Sequence, residues 1–95
     1  MTGSTCSTEN LDVRRRKLLF RSWHRGMRET DLILGQYADA YIAGFTDDQL
    51  DEFERILEVL DRDLFQWVMG ERPTPPEYDT PLFRDIVAFR DRIEF

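Results

Sequence analysis

The chain has 95 residues, of which 41% are hydrophobic, 13% aromatic and 34% charged, with a formal net charge of −6; this is enough apolar material for one core and one domain. No apolar run approaches the ~18 residues that a bilayer span needs, and a single cysteine, Cys6, with a single histidine, His24, supplies neither an internal disulfide nor a zinc ligand set. The acidic total argues against nonspecific nucleic-acid binding, whose affinity comes from neutralising phosphates.

Residues 1–11 are polar and lack the basic start and apolar stretch of a secretory signal, as well as the Arg-rich composition of a transit peptide. They are expected to form a disordered tail before a helical domain over 12–95, in a chain that stays in a bacterial cytoplasm. Charge is segregated. Residues 1–29 hold seven Lys/Arg against three Asp/Glu, and residues 30–95 hold six against sixteen. Either one basic face orients a partner, or the two halves meet across the fold.

Helical spacing recurs along the chain, and no stretch alternates over a strand length. Asn10 or Asp12 can cap a first helix running to about Trp23, with Leu11, Leu18, Leu19 and Trp23 as its stripe and Gly26 closing it. A second helix is expected to start between Glu29 and Asp31, burying Ile33, Tyr37, Ala40, Tyr41 and Gly44; Gly35 inside it hints at a close helix approach. Thr46-Asp47-Asp48-Gln49 fits a capping box, and Phe45 with Leu50 fits a hydrophobic staple. Leu50, Phe53, Leu57 and Leu60 would then face the core. Asp61 should cap a short fourth helix, Arg62 to Met69, with Leu60 and Phe65 as a second staple and Gly70 as its stop. Residues 70–80 carry three prolines and read as a rigid, extended connection. Thr80-Pro81 opens a fifth helix with Leu82, Ile86, Phe89 and Ile93 on one face. The fold class expected is therefore all-α: a compact five-helix bundle of short amphipathic helices.

Few residues offer chemistry. His24 and Ser22 lie two apart on a helix and face different directions, so His24 reads as a surface or helix-end residue. The five glycines are dispersed and form no phosphate loop, and the paired acids show no calcium-loop pattern. No catalytic, metal or cofactor-binding residue is assigned, and an enzyme is not expected. The Arg14-Arg15-Arg16-Lys17 run reads as the solvated face of the first helix, with a minor part in recognition.

One turn remains: Arg25-Gly26-Met27-Arg28-Glu29, followed by Asp31. Arg25 and Glu29 stand four apart around a residue with no side chain. As plain structure this would be a glycine cap and an exposed ion pair worth at most ~1 kcal/mol. The string R-G-x-x-E is common by chance. In this chain an Arg-rich first helix leads into R-G-M-x-E-x-D, then the capped T-D-D-Q-L helix, then Asp61-x-Asp63-Leu64-Phe65-x-Trp67, a Pro-containing linker and a last helix. That order, over roughly residues 12 to 93, resembles the SdhE family, the succinate dehydrogenase assembly factor 2 proteins.

The resemblance implies a five-helix bundle that promotes covalent attachment of FAD to the flavoprotein subunit of succinate dehydrogenase, or of fumarate reductase. It implies that Arg25, Gly26 and Glu29 form the contact surface, with Met27 and Asp31 beside them, and that the FAD belongs to the partner, whose own histidine makes the bond. The D-x-D-L-F-x-W element reads as architecture, with Asp61 capping and Leu64, Phe65 and Trp67 entering the core. Thr30 departs from the family pattern, which carries an apolar residue there, and is not expected to touch the contact residues. The other readings are an interaction module of another kind, such as an antitoxin-like inhibitor, and, third, a nucleic-acid-binding helical domain using residues 14–28.

Overall fold

A computed structural model describes residues 11–93. Five α-helices follow in order: α1 (Val13–Trp23), α2 (Arg28–Tyr41), α3 (Asp47–Leu57), α4 (Asp61–Val68) and α5 (Pro81–Arg90). Single turns of 3-10 helix occupy Ile42–Gly44 and Pro76–Tyr78, and there is no strand among the described residues. The all-α bundle expected from the sequence is the fold observed.

The local signals near the chain's middle and end act as read. Thr46 Oγ1 accepts from the Gln49 amide at 3.2 Å, and the Gln49 side chain accepts from the Thr46 amide at 2.8 Å. Thr80 Oγ1 accepts from the Phe83 amide at 3.1 Å, with Pro81 as the first helical residue. Gly70 adopts φ +77°. The Glu71 amide reaches back to the Gln66 carbonyl and the Gly70 amide to the Trp67 carbonyl, the paired bonds with which a left-handed glycine closes a helix.

α2 runs through the middle, packing on α1, α4 and α5. Its buried face is therefore wide: Thr30, Ile33, Leu34, Gly35, Tyr37 and Ala38. Ile33 and Tyr37 match the expected stripe, whereas Ala40, Tyr41 and Gly44 are exposed. The α-helix ends at Tyr41 and tightens into a 3-10 turn. The changed pitch carries Ile42 inward and Gly44 outward. The approach hinted at by Gly35 is real. A Cβ there would lie 2.7 Å from Cε3 of the Trp23 ring, closer than packed carbons come, so α1 crosses α2 at the one residue that has no side chain.

Four other expectations are corrected. Leu60 is 71% exposed, because α3 ends at Leu57 and Leu60 is the extended residue before α4; it joins neither the α3 stripe nor a staple. Asp61 is the first residue of α4 rather than its cap, and its carboxylate is used elsewhere. The 70–80 connection is folded into a 3-10 turn at Pro76–Tyr78. Leu11, which the sequence placed both at the end of the tail and in the apolar stripe of the first helix, is buried against the core as the stripe requires; residues 1–10, including Asn10 and Cys6, lie outside the described residues. Asp12 precedes α1 without a side-chain cap bond and instead accepts from Arg15 at 2.8 Å. Leu64 is fully buried, while Phe65 and Trp67 are half-buried, with Trp67 packed against the core beside the Tyr78 ring at 5.3 Å.

The charge segregation resolves as pairing across the fold. Arg14 meets Asp51 at 2.6 Å and Glu54 at 3.3 Å, Arg21 meets Glu54 at 3.7 Å, and Arg25 meets Asp61 at 2.7 Å. Only part of the Arg14–Lys17 run is a solvated face: Arg15 donates to the Ile42 and Phe45 carbonyls, and Arg16 and Lys17 are exposed.

Candidate partner-binding site

Residues 24–27 join α1 to α2, and the five candidate residues lie in or next to this turn. Gly26 is exposed at φ +111°, a conformation that L side chains rarely adopt. Its backbone is therefore uncovered at the surface. Asp31 closes the turn from below: its Oδ1 accepts from the Arg25 amide at 2.9 Å. The Met27 residue precedes α2, and its carbonyl accepts from the Asp31 amide at 2.9 Å. Glu29 is half-buried, and its carboxylate makes no ion pair or hydrogen bond among the described residues. Beside it Arg28 is exposed.

Arg25 is not the exposed contact expected from the sequence. Its side chain is 7% exposed and points into the bundle. Nε donates to Asp61 Oδ1 at 2.7 Å, one terminal nitrogen donates to the Leu57 carbonyl and the other to the Val59 carbonyl. The planar fork thus satisfies the carbonyl end of α3, the α3–α4 connection and a carboxylate together. Arg25 and Glu29 do not pair.

Thr30 also differs from expectation. It is 1% exposed, and its hydroxyl donates to the Met27 carbonyl at 3.0 Å, with Asp61 Oδ1 as a longer acceptor at 3.4 Å. It therefore touches a named contact residue after all, through that residue's backbone. A hydroxyl can stand in this buried position because two oxygens face it.

Beside the turn lies an open hollow of about 350 Å³, lined by Phe20, His24, Arg25, Leu60 and Asp61 among others. Phe20 and Leu60 are 62% and 71% exposed. The Phe20 and His24 rings stack at 4.0 Å, and His24 Nδ1 donates to the Phe20 carbonyl at 2.7 Å. His24 is the helix-end surface residue that the sequence indicated. Two bulky apolar side chains thus stand in water beside an uncovered glycine. Neither residue was singled out for this surface from the sequence: Phe20 lies on the face of α1 opposite its stripe, beside the exposed Arg16 and Lys17, and Leu60 fits the α3 stripe but follows the end of that helix.

The fold defines a class, the small all-helical bundle proteins. Residues 16–90 match the family profile described as Sdh5, flavinator of succinate dehydrogenase. The chain is 40% identical over 86 residues to the FAD assembly factor SdhE of Acetobacter pasteurianus, covering 90% of this chain and 79% of that one. It is 38% identical over 78 residues to the mitochondrial succinate dehydrogenase assembly factor 2-A of Drosophila ananassae, covering 80% and 50%. With the mitochondrial succinate dehydrogenase assembly factor 2 of Debaryomyces hansenii it shares 39% over 68 residues, 72% and 48% of the two chains. The chain thus spans about half the length of these mitochondrial relatives. No solved structure matches. The chain belongs to the family of succinate dehydrogenase flavinators, the SdhE or assembly factor 2 proteins.

Proposed function

We propose that this protein binds the flavoprotein subunit of succinate dehydrogenase and promotes covalent FAD attachment there, with the α1–α2 turn as its docking element. One observation carries the site assignment: the exposed backbone at Gly26, φ +111°, stands next to a Glu29 that has no partner within the described residues. The chain would act as a non-catalytic chaperone, with the attachment chemistry left to the partner. Preferring one partner conformation by ~3 kcal/mol changes its population more than a hundredfold without any catalytic group here. The names of the relatives favour this reading over an antitoxin-like inhibitor.

The same proposal extends to a chain that works as a monomer in a bacterial cytoplasm, holds no metal or cofactor of its own, and also serves the flavoprotein of fumarate reductase. On the metal alone, no group of three His, Cys, Asp or Glu that could hold one is found among the described residues; no described helix is long and apolar enough to cross a membrane.

In-gel flavin fluorescence of the flavoprotein subunit, with and without this protein, tests the function. Glu29→Ala tests the site. Truncating a charge desolvated at an interface costs ~2–5 kcal/mol, a thirtyfold or greater loss of affinity, whereas the free protein should change stability by less than ~1 kcal/mol. A folded Glu29→Ala protein that supports normal flavin attachment would remove the turn from the docking surface.

A further inference from the structure

We infer that Asp61, which lies outside the R-G-x-x-E string, is a positioning residue of the docking turn, holding Gly26 and Glu29 in place through Arg25 and Thr30. The inference deepens the proposal above and rests on the α1–α2 turn being the docking element.

A single carboxylate bonds Arg25 in the turn, reaches Thr30 in the first turn of α2, and lies beside Gly26. Asp61 Oδ1 accepts from Arg25 Nε at 2.7 Å, next in the chain to Gly26. The same oxygen lies 3.4 Å from the Thr30 hydroxyl, next in the chain to Glu29. Asp61 Oδ2 lies 3.9 Å from where a Cβ on Gly26 would sit. No regular structure holds residues 24–27, so side-chain bonds set how they are presented, this carboxylate and Asp31 together with the Arg25 bonds to the Leu57 and Val59 carbonyls and the Thr30 bond to the Met27 carbonyl. Without Asp61, the Arg25 guanidinium would keep its two carbonyl acceptors but lose its counter-charge at 7% exposure. An uncompensated buried charge moves toward water, and the turn would move with it. The two sequence elements that mark this chain, R-G-x-x-E and D-x-D-L-F-x-W, are thus one unit in space, joined by the Arg25–Asp61 pair across 36 positions.

The test is a double-mutant cycle on the full chain. The probe is the FAD-free flavoprotein subunit of succinate dehydrogenase from the same organism, titrated well below the melting temperature of every variant. Asp61→Ala should weaken binding tenfold or more while circular dichroism stays helical, and Glu29→Ala should do the same. Because Asp61 acts through the turn, the double variant should bind only slightly more weakly than the worse single variant. Independent effects would multiply instead. Asp61→Asn, which keeps the shape and loses the charge, should fall between wild type and Asp61→Ala, and it carries the test if Asp61→Ala does not fold. Multiplicative losses, or undiminished binding in a folded Asp61 variant, would overturn the inference while leaving the turn as the docking element. Wild-type binding by Glu29→Ala would instead overturn the docking turn itself, and this inference with it.

Discussion

Arg25 and Glu29 stand four residues apart and play opposite parts. Arg25 is enclosed and bonded to Asp61 and to the Leu57 and Val59 carbonyls, while Glu29 is half-buried with no such bonds. Removing the guanidinium strands two carbonyls and a carboxylate, so Arg25→Ala should cost about 2–4 kcal/mol. In urea unfolding its midpoint should fall clearly below that of Glu29→Ala, and equal midpoints would place Arg25 back at the surface. Function lost on Arg25→Ala therefore reports misplacement of the turn as well as any lost contact. Gly26 needs a matched pair for the same reason. Any L residue at φ +111° is strained, although only Asp61 lies near its missing Cβ, at 3.9 Å. Gly26→Ala carries the strain, and Gly26→Arg adds bulk, so flavin attachment should fall further with Arg than with Ala.

Tyr37 offers a second test at this scale, away from the site. Its ring is buried and its hydroxyl donates to Asp85 Oδ2 at 2.7 Å, tying α2 to α5. Burial pushes its pKa far above the ordinary value, and the Asp85 carboxylate adds to the rise. A group whose pKa is raised on folding contributes stability that is complete below its unfolded pKa, near ~10, and is lost as pH rises above it. The urea midpoint should therefore decline above pH ~10, and Tyr37→Phe should flatten that decline while costing about 1 kcal/mol at pH 7. A decline unchanged by Tyr37→Phe would assign it to other groups.

At the level of the helix, capping was legible because it is local. The Thr46 box needs only residues three apart, and Thr46→Ala should cost about 1 kcal/mol. Gly35 was legible as an oddity, a helix-weakening residue inside a helical pattern, and the Trp23 ring over it supplies the reason. Gly35→Ala raises intrinsic helix propensity by up to ~1 kcal/mol. It should nevertheless destabilise the fold by about 1–3 kcal/mol, because the added methyl has no room. A more stable Gly35→Ala protein would show that α1 can shift off α2. Stripes were less legible than caps. Ala40 and Tyr41 keep helical spacing with Ile33 yet are exposed, Tyr41 meeting α5 through the edge of the Phe89 ring at 6.0 Å, and Leu60 keeps spacing with Leu57 although the helix has ended. Periodicity gives a direction around an axis and says nothing about how far the neighbours extend.

For the molecule as a whole, the basic start of the chain and its acidic remainder meet along α1 and α3. The pairs Arg14–Asp51, Arg14–Glu54 and Arg21–Glu54 are all substantially exposed, so each contributes little and is screened by salt. The position of α1 is set instead by its buried face, with Leu18 and Leu19 in the core and the Trp23 ring over Gly35. Arg16, Lys17 and Arg28 remain exposed beyond this pairing.

By itself the sequence determined the number and type of the α-helices, the Thr46 and Thr80 caps, the Gly70 stop, the single core and the turn that the family resemblance singled out. Each of these follows from interactions within a few residues or from bulk composition, which the linear order contains. The tertiary structure decided which polar residues are enclosed: that Arg25 turns inward, that Asp61 is its partner rather than a cap, that Thr30 bonds beneath the turn, and that Phe20 and Leu60 stand in water beside it. Those outcomes depend on residues more than thirty positions apart meeting across the bundle, and no local pattern in the sequence encodes that meeting.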